Sequence, residues 1–160
     1  MKPKIIKAHM KTAENYATLS TAVRLQVGSI IVKDDRIISI GYNGMPSGWD
    51  NTCEDVETTF DERDTYGSTD WKFNETKKQY FRLKTKPEVL HAEANAIAKV
   101  ARSPESAEDA VLFVTHGPCI ECAKLIYQSG IKQVFYRDNY RNSRGVDFLK
   151  QAGVIVNQID

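Results

Sequence analysis

His91-Ala92-Glu93, followed by Pro118-Cys119-Ile120-Glu121-Cys122, constrains this chain more than any other feature. One histidine and two cysteines in separate segments can serve one metal ion only if the fold carries both segments to one point. Cys119 and Cys122 are three residues apart, which puts them on one face of a helical turn. Pro118 suits the first turn of such a helix, where its missing N–H is not needed. A helix N-terminus also favours thiolate over thiol. A second helix is expected from His91 to Arg102, with Glu93 near its start. The expectation is that two helix N-termini meet at one edge of a sheet.

These residue types suit one kind of chemistry. Zinc with three protein ligands keeps a fourth position open, and water held there loses a proton near neutral pH. Glu93 is not needed as a ligand. It is free to take that proton, protonate a ring nitrogen and later pass a proton to departing ammonia. The parts alone say less. His-x-Glu arises often by chance, and Cys-x-x-Cys is more often a structural zinc half-site or a redox pair. If Cys53 joined as a fourth ligand, the site would be closed to catalysis. His, Glu, Pro and both Cys in this order match the signature of zinc-dependent nucleobase deaminases, which favours the catalytic reading.

The remaining bulk properties narrow the field. The 160 residues fit one domain. A formal net charge of +1 carries no electrostatic footprint for duplex nucleic acid. Three cysteines, two of them assigned to metal, argue for a reducing compartment rather than a disulfide framework. No apolar run is long enough to span a membrane, and the basic segment Met1 to Lys11 lacks a signal-peptide core. A soluble, cytoplasmic protein is expected.

Periodicity predicts alternating elements. Helices are expected at Ile5 to about Leu19, His91 to Arg102, Cys119 to Ser129 (closed by Gly130) and Gly145 to Ala152. Strands are expected at Val27–Val32, Arg36–Tyr42, Ala110–Thr115, Ile131–Tyr136 and Val154–Val156, the first two as an antiparallel hairpin. Gly41 to Gly48 reads as a loop. The fold class is α/β, a sheet covered by helices with parallel pairs late in the chain. The polar stretch at about 49–90 does not fit that scheme. It reads as an insertion at the rim of the site, partly helical around Glu75 to Leu83. A lid, an effector site, a subunit contact and a plain solvated excursion all remain open for it.

With these residues in view, the chain resembles the deoxycytidylate (dCMP) deaminases of the cytidine deaminase superfamily. Val23 to Val32 is similar to the family's first strand and its lead-in, and Gly41 to Gly48 to its nucleotide-binding loop. His91 to Ile97 and Pro118 to Lys124 are similar to its zinc motifs, while Tyr66-Gly67-Ser68-Thr69-Asp70 resembles phage-encoded members. The resemblance implies a three-layer α/β/α sandwich with a mixed five-stranded sheet, assembled as a hexamer in the cytoplasm (host cytoplasm for a phage protein). It implies conversion of dCMP to dUMP, feeding thymidylate synthesis, activated by dCTP and inhibited by dTTP.

Residue by residue, it implies that His91, Cys119 and Cys122 hold one Zn2+ and that Glu93 shuttles protons. Arg24 would bind the 5′-phosphate, Asn43 the 3′-hydroxyl, backbone groups around Ala92 the base, and Tyr140 the base or the phosphate. Gly44, Asn95 and Arg102 would serve a nucleoside triphosphate effector, with Mg2+ as its companion. Without the resemblance, Arg24 reads as a surface charge and Asn43 as a turn residue. Two departures stand out. Ala22 occupies a position where some phage relatives carry a cysteine for a second, structural zinc, so one zinc is expected. His116 and Gly117 replace apolar or hydroxyl residues, and His116 either reaches the pocket or only shapes the loop.

Rival functions remain at this level. They are a deaminase of another cytosine nucleoside or nucleotide, of a tRNA adenosine or of single-stranded DNA; a non-catalytic nucleotide sensor; and a structural zinc protein. The low charge and the lack of an aromatic-basic stripe argue against polynucleotide partners. A retained Glu93 argues against a mere sensor.

Overall fold

The computed structural model describes residues 1–159. The elements are α1 (Pro3–Ala17), β1 (Gly28–Lys33), β2 (Arg36–Tyr42), β3 (Glu54–Thr59), a 3-10 turn (Glu62–Thr65), β4 (Lys72–Asn74) and β5 (Gln79–Thr85). They continue with α2 (Ala92–Ala101), β6 (Val111–His116), α3 (Ile120–Gln128), β7 (Gln133–Asp138), α4 (Arg144–Gln151) and β8 (Ile155–Gln158).

The main sheet has the order β2-β1-β6-β7-β8. β1 runs antiparallel to both of its neighbours, whereas β6, β7 and β8 are parallel. Side chains alternate between the faces with the strand period of two. Ile30 and Val32 of β1 join Phe113 and Phe135 against Met10 and Ala13 of α1. Ile31, Leu112, Val114 and Val134 point the other way and pack with Ala96, Val100, Ala123, Ile126, Val146 and Leu149. One helix thus covers one face, and α2, α3 and α4 cover the other. The central strands read as nearly continuous apolar runs because both of their faces are buried. Fully buried side chains such as Phe113, Ile30 and Leu112 each contribute roughly 1.5–3 kcal/mol of transfer free energy. This is the three-layer α/β/α sandwich with a mixed five-stranded sheet that the family resemblance implies.

Most element boundaries fall within two residues of expectation. α1 begins earlier, at Pro3, whose missing N–H costs nothing at a helix start. Pro118 lies outside α3, because Cys119 is the N-cap and its Sγ accepts the Cys122 N–H.

The helix expected around Glu75 to Leu83 is absent. That segment supplies β5, the centre of a separate antiparallel sheet of order β3-β5-β4. Its helix-forming Lys, Gln and Glu residues are recruited into a ladder by cross-strand partners. Glu57 sits opposite Arg82 and accepts hydrogen bonds from Arg82 at 2.6 Å and Lys84 at 3.0 Å. Such pairs favour a strand over the local helical preference. The small sheet meets the main body at its root. There Cys53 is buried with Ala22 and Val89, and Glu54 accepts the backbone N–H groups of Val23 and Arg24. Among the described residues, no helix is long and apolar enough to cross a membrane.

Candidate active site

Both motif helices start at the carboxyl ends of strands, the usual place for a ligand site in an open α/β sheet. α2 is pressed onto the end of β2. A Cβ on Gly41 would lie 2.0 Å from the Ala92 carbonyl oxygen, and Asn95 Nδ2 donates to the Tyr42 carbonyl at 2.9 Å. Gly44 and Leu90 exchange backbone hydrogen bonds at 3.1 and 2.9 Å, which fixes the residue before His91. α3 follows β6 through a loop whose Gly117 N–H bonds the Asp138 carbonyl at 2.8 Å. α4 closes against the same loop, since a Cβ on Gly145 would sit 2.0 Å from the Pro118 carbonyl oxygen.

These anchors bring the three predicted ligands together. His91 Nδ1 lies 3.5 Å from Cys119 Sγ and 3.4 Å from Cys122 Sγ, and all three ligand atoms fall within 4.8 Å of one another. Tetrahedral zinc with Zn–S of about 2.3 Å and Zn–N of about 2.0–2.1 Å separates sulfur from nitrogen by about 3.5 Å. The donor set and its spacing therefore fit a zinc ion with an open fourth position. Cys53 is not in this cluster. It is buried elsewhere, 3.4 Å from Thr21 Oγ1, so the closed four-ligand site does not form.

The local electrostatics match. The Cys119 thiol is pulled down to about 3 by its hydrogen bond with Cys122 and by His91 beside it. The Cys119 thiolate and burial together push Cys122 up. Two thiols this close compete for one proton, and a bound metal ion would hold both as thiolates. Glu93 is buried on the first turn of α2, and burial raises its carboxyl above the usual range, so it holds a proton readily.

A cavity of about 430 Å³ opens on this cluster and holds Arg24, Asn43, His91, Ala92, Glu93, Cys119 and Tyr140 along its wall. Such a volume is within the usual range for a small-molecule site. Asn43 is tied to the segment it faces, since Oδ1 accepts the Val27 N–H at 2.7 Å and Nδ2 donates to the Leu25 carbonyl at 2.8 Å. Each of its polar atoms keeps one further hydrogen-bonding position. Arg24 is held by Thr85 Oγ1 and Asp70 Oδ2, both at 3.2 Å.

His116 does face the cavity. Its Nδ1 lies 3.1 Å from Thr115 Oγ1 and its Nε2 3.6 Å from Asp138 Oδ2. Burial lowers its basicity.

Several wall residues were missed in the sequence. Arg141 lies beside Tyr140, its guanidinium 5.1 Å from the ring centroid, and also lines the cavity. Its position next to Tyr140 was the only signal. Asp70 sits within the Tyr66 to Asp70 motif but had been given no role. Thr85 carried no signal at all.

Of the residues assigned to an effector, Gly44 and Asn95 line a second cavity of about 430 Å³ together with Tyr42 and Lys99. Arg102 lies outside it, at the C-cap of α2.

Comparison with known proteins gives a consistent result. The family model described as cytidine and deoxycytidylate deaminase zinc-binding region matches residues 3–138. The deoxycytidylate deaminase of enterobacteria phage T4 is 38% identical over 151 residues, covering 82% of this chain and 77% of the relative. The ComE operon protein 2 of Bacillus subtilis is 32% identical over 145 residues, covering 90% of this chain and 65% of the relative. Among solved structures, the dCMP deaminase of cyanophage S-TIM5 in complex with dCMP and dUMP superimposes with a TM-score of 0.79 at 42% identity. That match covers 99% of both chains.

Proposed function

The chain belongs to the cytidine and deoxycytidylate deaminase zinc-binding family, and from that premise we propose that it hydrolyses dCMP to dUMP and ammonia. One observation carries the substrate class. The cavity that opens on His91, Cys119 and Glu93 also holds the Arg24 guanidinium, a fork suited to phosphate oxygens. The similar cyanophage enzyme was solved with dCMP and dUMP.

His91 Nδ1 and the two cysteine sulfurs would hold the zinc, which supplies Lewis acidity that makes water nucleophilic near neutral pH. Glu93 does the proton work. Its carboxylate takes a proton from the attacking water and delivers it to N3 of the cytosine as oxygen bonds to C4. It then carries the second proton to the amino group, the C4–N bond breaks, and ammonia leaves. Burial, by raising the affinity of Glu93 for protons, suits it to hold one between these steps. Asn43, already oriented by Leu25 and Val27, offers its remaining lone pair and N–H to the 3′-hydroxyl. The backbone around Ala92 would read the base and Tyr140 would close the base or phosphate end.

The proposal extends to control. A triphosphate effector, with Mg2+ as its counter-ion, would take the second cavity at Gly44 and Asn95. Lys99 there supplies positive charge from the same helix face, with Arg102 one turn further on. dCTP would activate, dTTP would inhibit, and a hexamer would transmit the effect. The dUMP formed would supply thymidylate synthesis in the cytoplasm.

Ultraviolet absorbance during incubation with dCMP tests the reaction, with CMP, cytidine and an RNA hairpin as competing substrates. Turnover that strongly favours dCMP supports the proposal. Turnover of an unphosphorylated nucleoside at equal efficiency refutes it, and a hyperbolic dCMP curve indifferent to dCTP and dTTP refutes the control.

A further inference from the structure

The guanidinium assigned to the substrate phosphate is already engaged by a carboxylate. Arg24 Nη2 lies 3.2 Å from Asp70 Oδ2, and Asp70 lines the same cavity. The three groups that hold Arg24 are not equivalent. Glu54 and Thr85 face each other in the register of β3 and β5, at the root of the small sheet. Glu54 accepts the Arg24 backbone N–H at 3.1 Å and Thr85 accepts from Nη1 at 3.2 Å. Both belong to hydrogen-bonded strands.

Asp70 instead sits between the 3-10 turn and β4, in a segment held by long bonds. Its own N–H reaches Ser68 Oγ at 3.3 Å, and the Ser68 N–H reaches the Thr65 carbonyl at 3.4 Å. Its side chain is 52% exposed, against 28% for Arg24. Two of the holds are fixed, and the third is exchangeable.

We propose that Asp70 is a specificity-determining residue that acts as an internal stand-in for the substrate phosphate. Its carboxylate engages Arg24 and gives way when a 5′-phosphate arrives. The proposal rests on the reading of Arg24 as the phosphate ligand. A guanidinium N–H donates to a carboxylate and to a phosphate oxygen alike, and the phosphate brings the greater charge. A half-exposed ion pair is weak, so the exchange costs little. It is a cost only for phosphorylated substrates, because an unphosphorylated nucleoside leaves the Arg24–Asp70 pair intact. Asp70 therefore moderates the preference for nucleotide over nucleoside that Arg24 alone would impose. It also couples phosphate arrival to release of its own loop from the cavity.

The test compares kcat/KM for dCMP and for deoxycytidine in the wild type, Asp70→Asn and Arg24→Gln. Arg24→Gln is expected to collapse the dCMP-to-deoxycytidine ratio by about ten-fold or more, the effect of losing a charge-assisted contact. Asp70→Asn is expected to raise it by about three- to five-fold, the scale of an exposed ion pair, with the change in the KM for dCMP. Inorganic phosphate, as an inhibitor of deoxycytidine turnover, should then act on Asp70→Asn at correspondingly lower concentration. A ratio unchanged or lowered by Asp70→Asn, with Arg24→Gln still collapsing it, overturns the role of Asp70 and leaves the dCMP reading standing. A ratio unmoved by Arg24→Gln overturns Arg24 as the phosphate ligand and the Asp70 proposal with it.

Discussion

Gly41 touches Ala92 so closely that no side chain fits between them: a Cβ on Gly41 would sit 2.0 Å from the Ala92 carbonyl oxygen and 2.8 Å from the Ala96 nitrogen. This contact seats the first turn of α2, and with it His91 and Glu93, against the end of β2. Gly41→Ala should push the turn away. Overpacking of this kind costs about 1–3 kcal/mol in stability, whereas displacement of a catalytic group by about 1 Å costs roughly a hundred-fold in rate. Activity should therefore fall much further than the melting temperature, which parallel kinetics and thermal unfolding would show.

Glu93→Gln keeps the shape of the side chain and removes its proton traffic. A loss of about 10²–10⁴ in kcat is expected, the usual contribution of a general acid–base. Zinc content should stay the same, because Glu93 lies outside the His91, Cys119 and Cys122 ligand cluster. Metal analysis of the inactive variant separates this outcome from a collapsed site.

One zinc per chain is expected. Cys122→Ser should remove it together with activity, since Cys122 Sγ is 3.4 Å from His91 Nδ1. Cys53→Ser should keep both, because Cys53 packs with Ala22 and Val89. Its cost is confined to that small cluster and would appear as a lower melting temperature. Chelation of the wild type should abolish turnover, and added zinc should restore it.

His9 and His116 should contribute stability that rises with pH in the window below 6.5, opposite in sign to the raised Glu93. Burial lowers the pKa of both His9 and His116 from 6.5. Between the lowered folded values and 6.5, the unfolded chain binds more protons than the folded one. The slope of unfolding free energy against pH is then positive. His9 contributes through its burial against Phe113, with ring centroids 5.2 Å apart, opposed by Asp35. His116 faces Asp138, which opposes the shift, and Arg137, which adds to it. A His9→Leu, His116→Gln double variant should show a flatter profile of melting temperature against pH than the wild type over pH 5–8.

The zinc cluster was legible in the sequence because its chemistry is local. His91 and Glu93 sit at one helix start and Cys119 and Cys122 at another, and β-branched runs between helical patterns name the sheet that unites them. The small sheet was not legible. Gln79 to Thr85 is rich in residues that favour helices, and its extended form depends on Glu57 in a strand remote in sequence. Thr85 reaches Arg24 through that unread register, and Asp70 through the segment that leads into β4. Arg102 illustrates a smaller limit. It continues the face of Asn95 and Lys99 by spacing, but α2 has ended there, with Arg102 at φ −100°. The double anchorage of Asn43 was likewise hidden, because a turn asparagine looks the same whether its amide meets solvent or the backbone at Leu25 and Val27.

The small sheet has its own hydrogen-bond ladder, and its root meets the body at Cys53, Glu54 and Thr85. Its far end, the β4–β5 hairpin, turns through Lys78 at φ +49°, with Glu75, Lys77 and Lys78 in solvent. An added peptide or dye there would lengthen a turn without crossing a buried strand. The hairpin tip is thus an attachment point from which a fluorophore could report the release of the Asp70 loop, while the root of the sheet continues to seat Arg24.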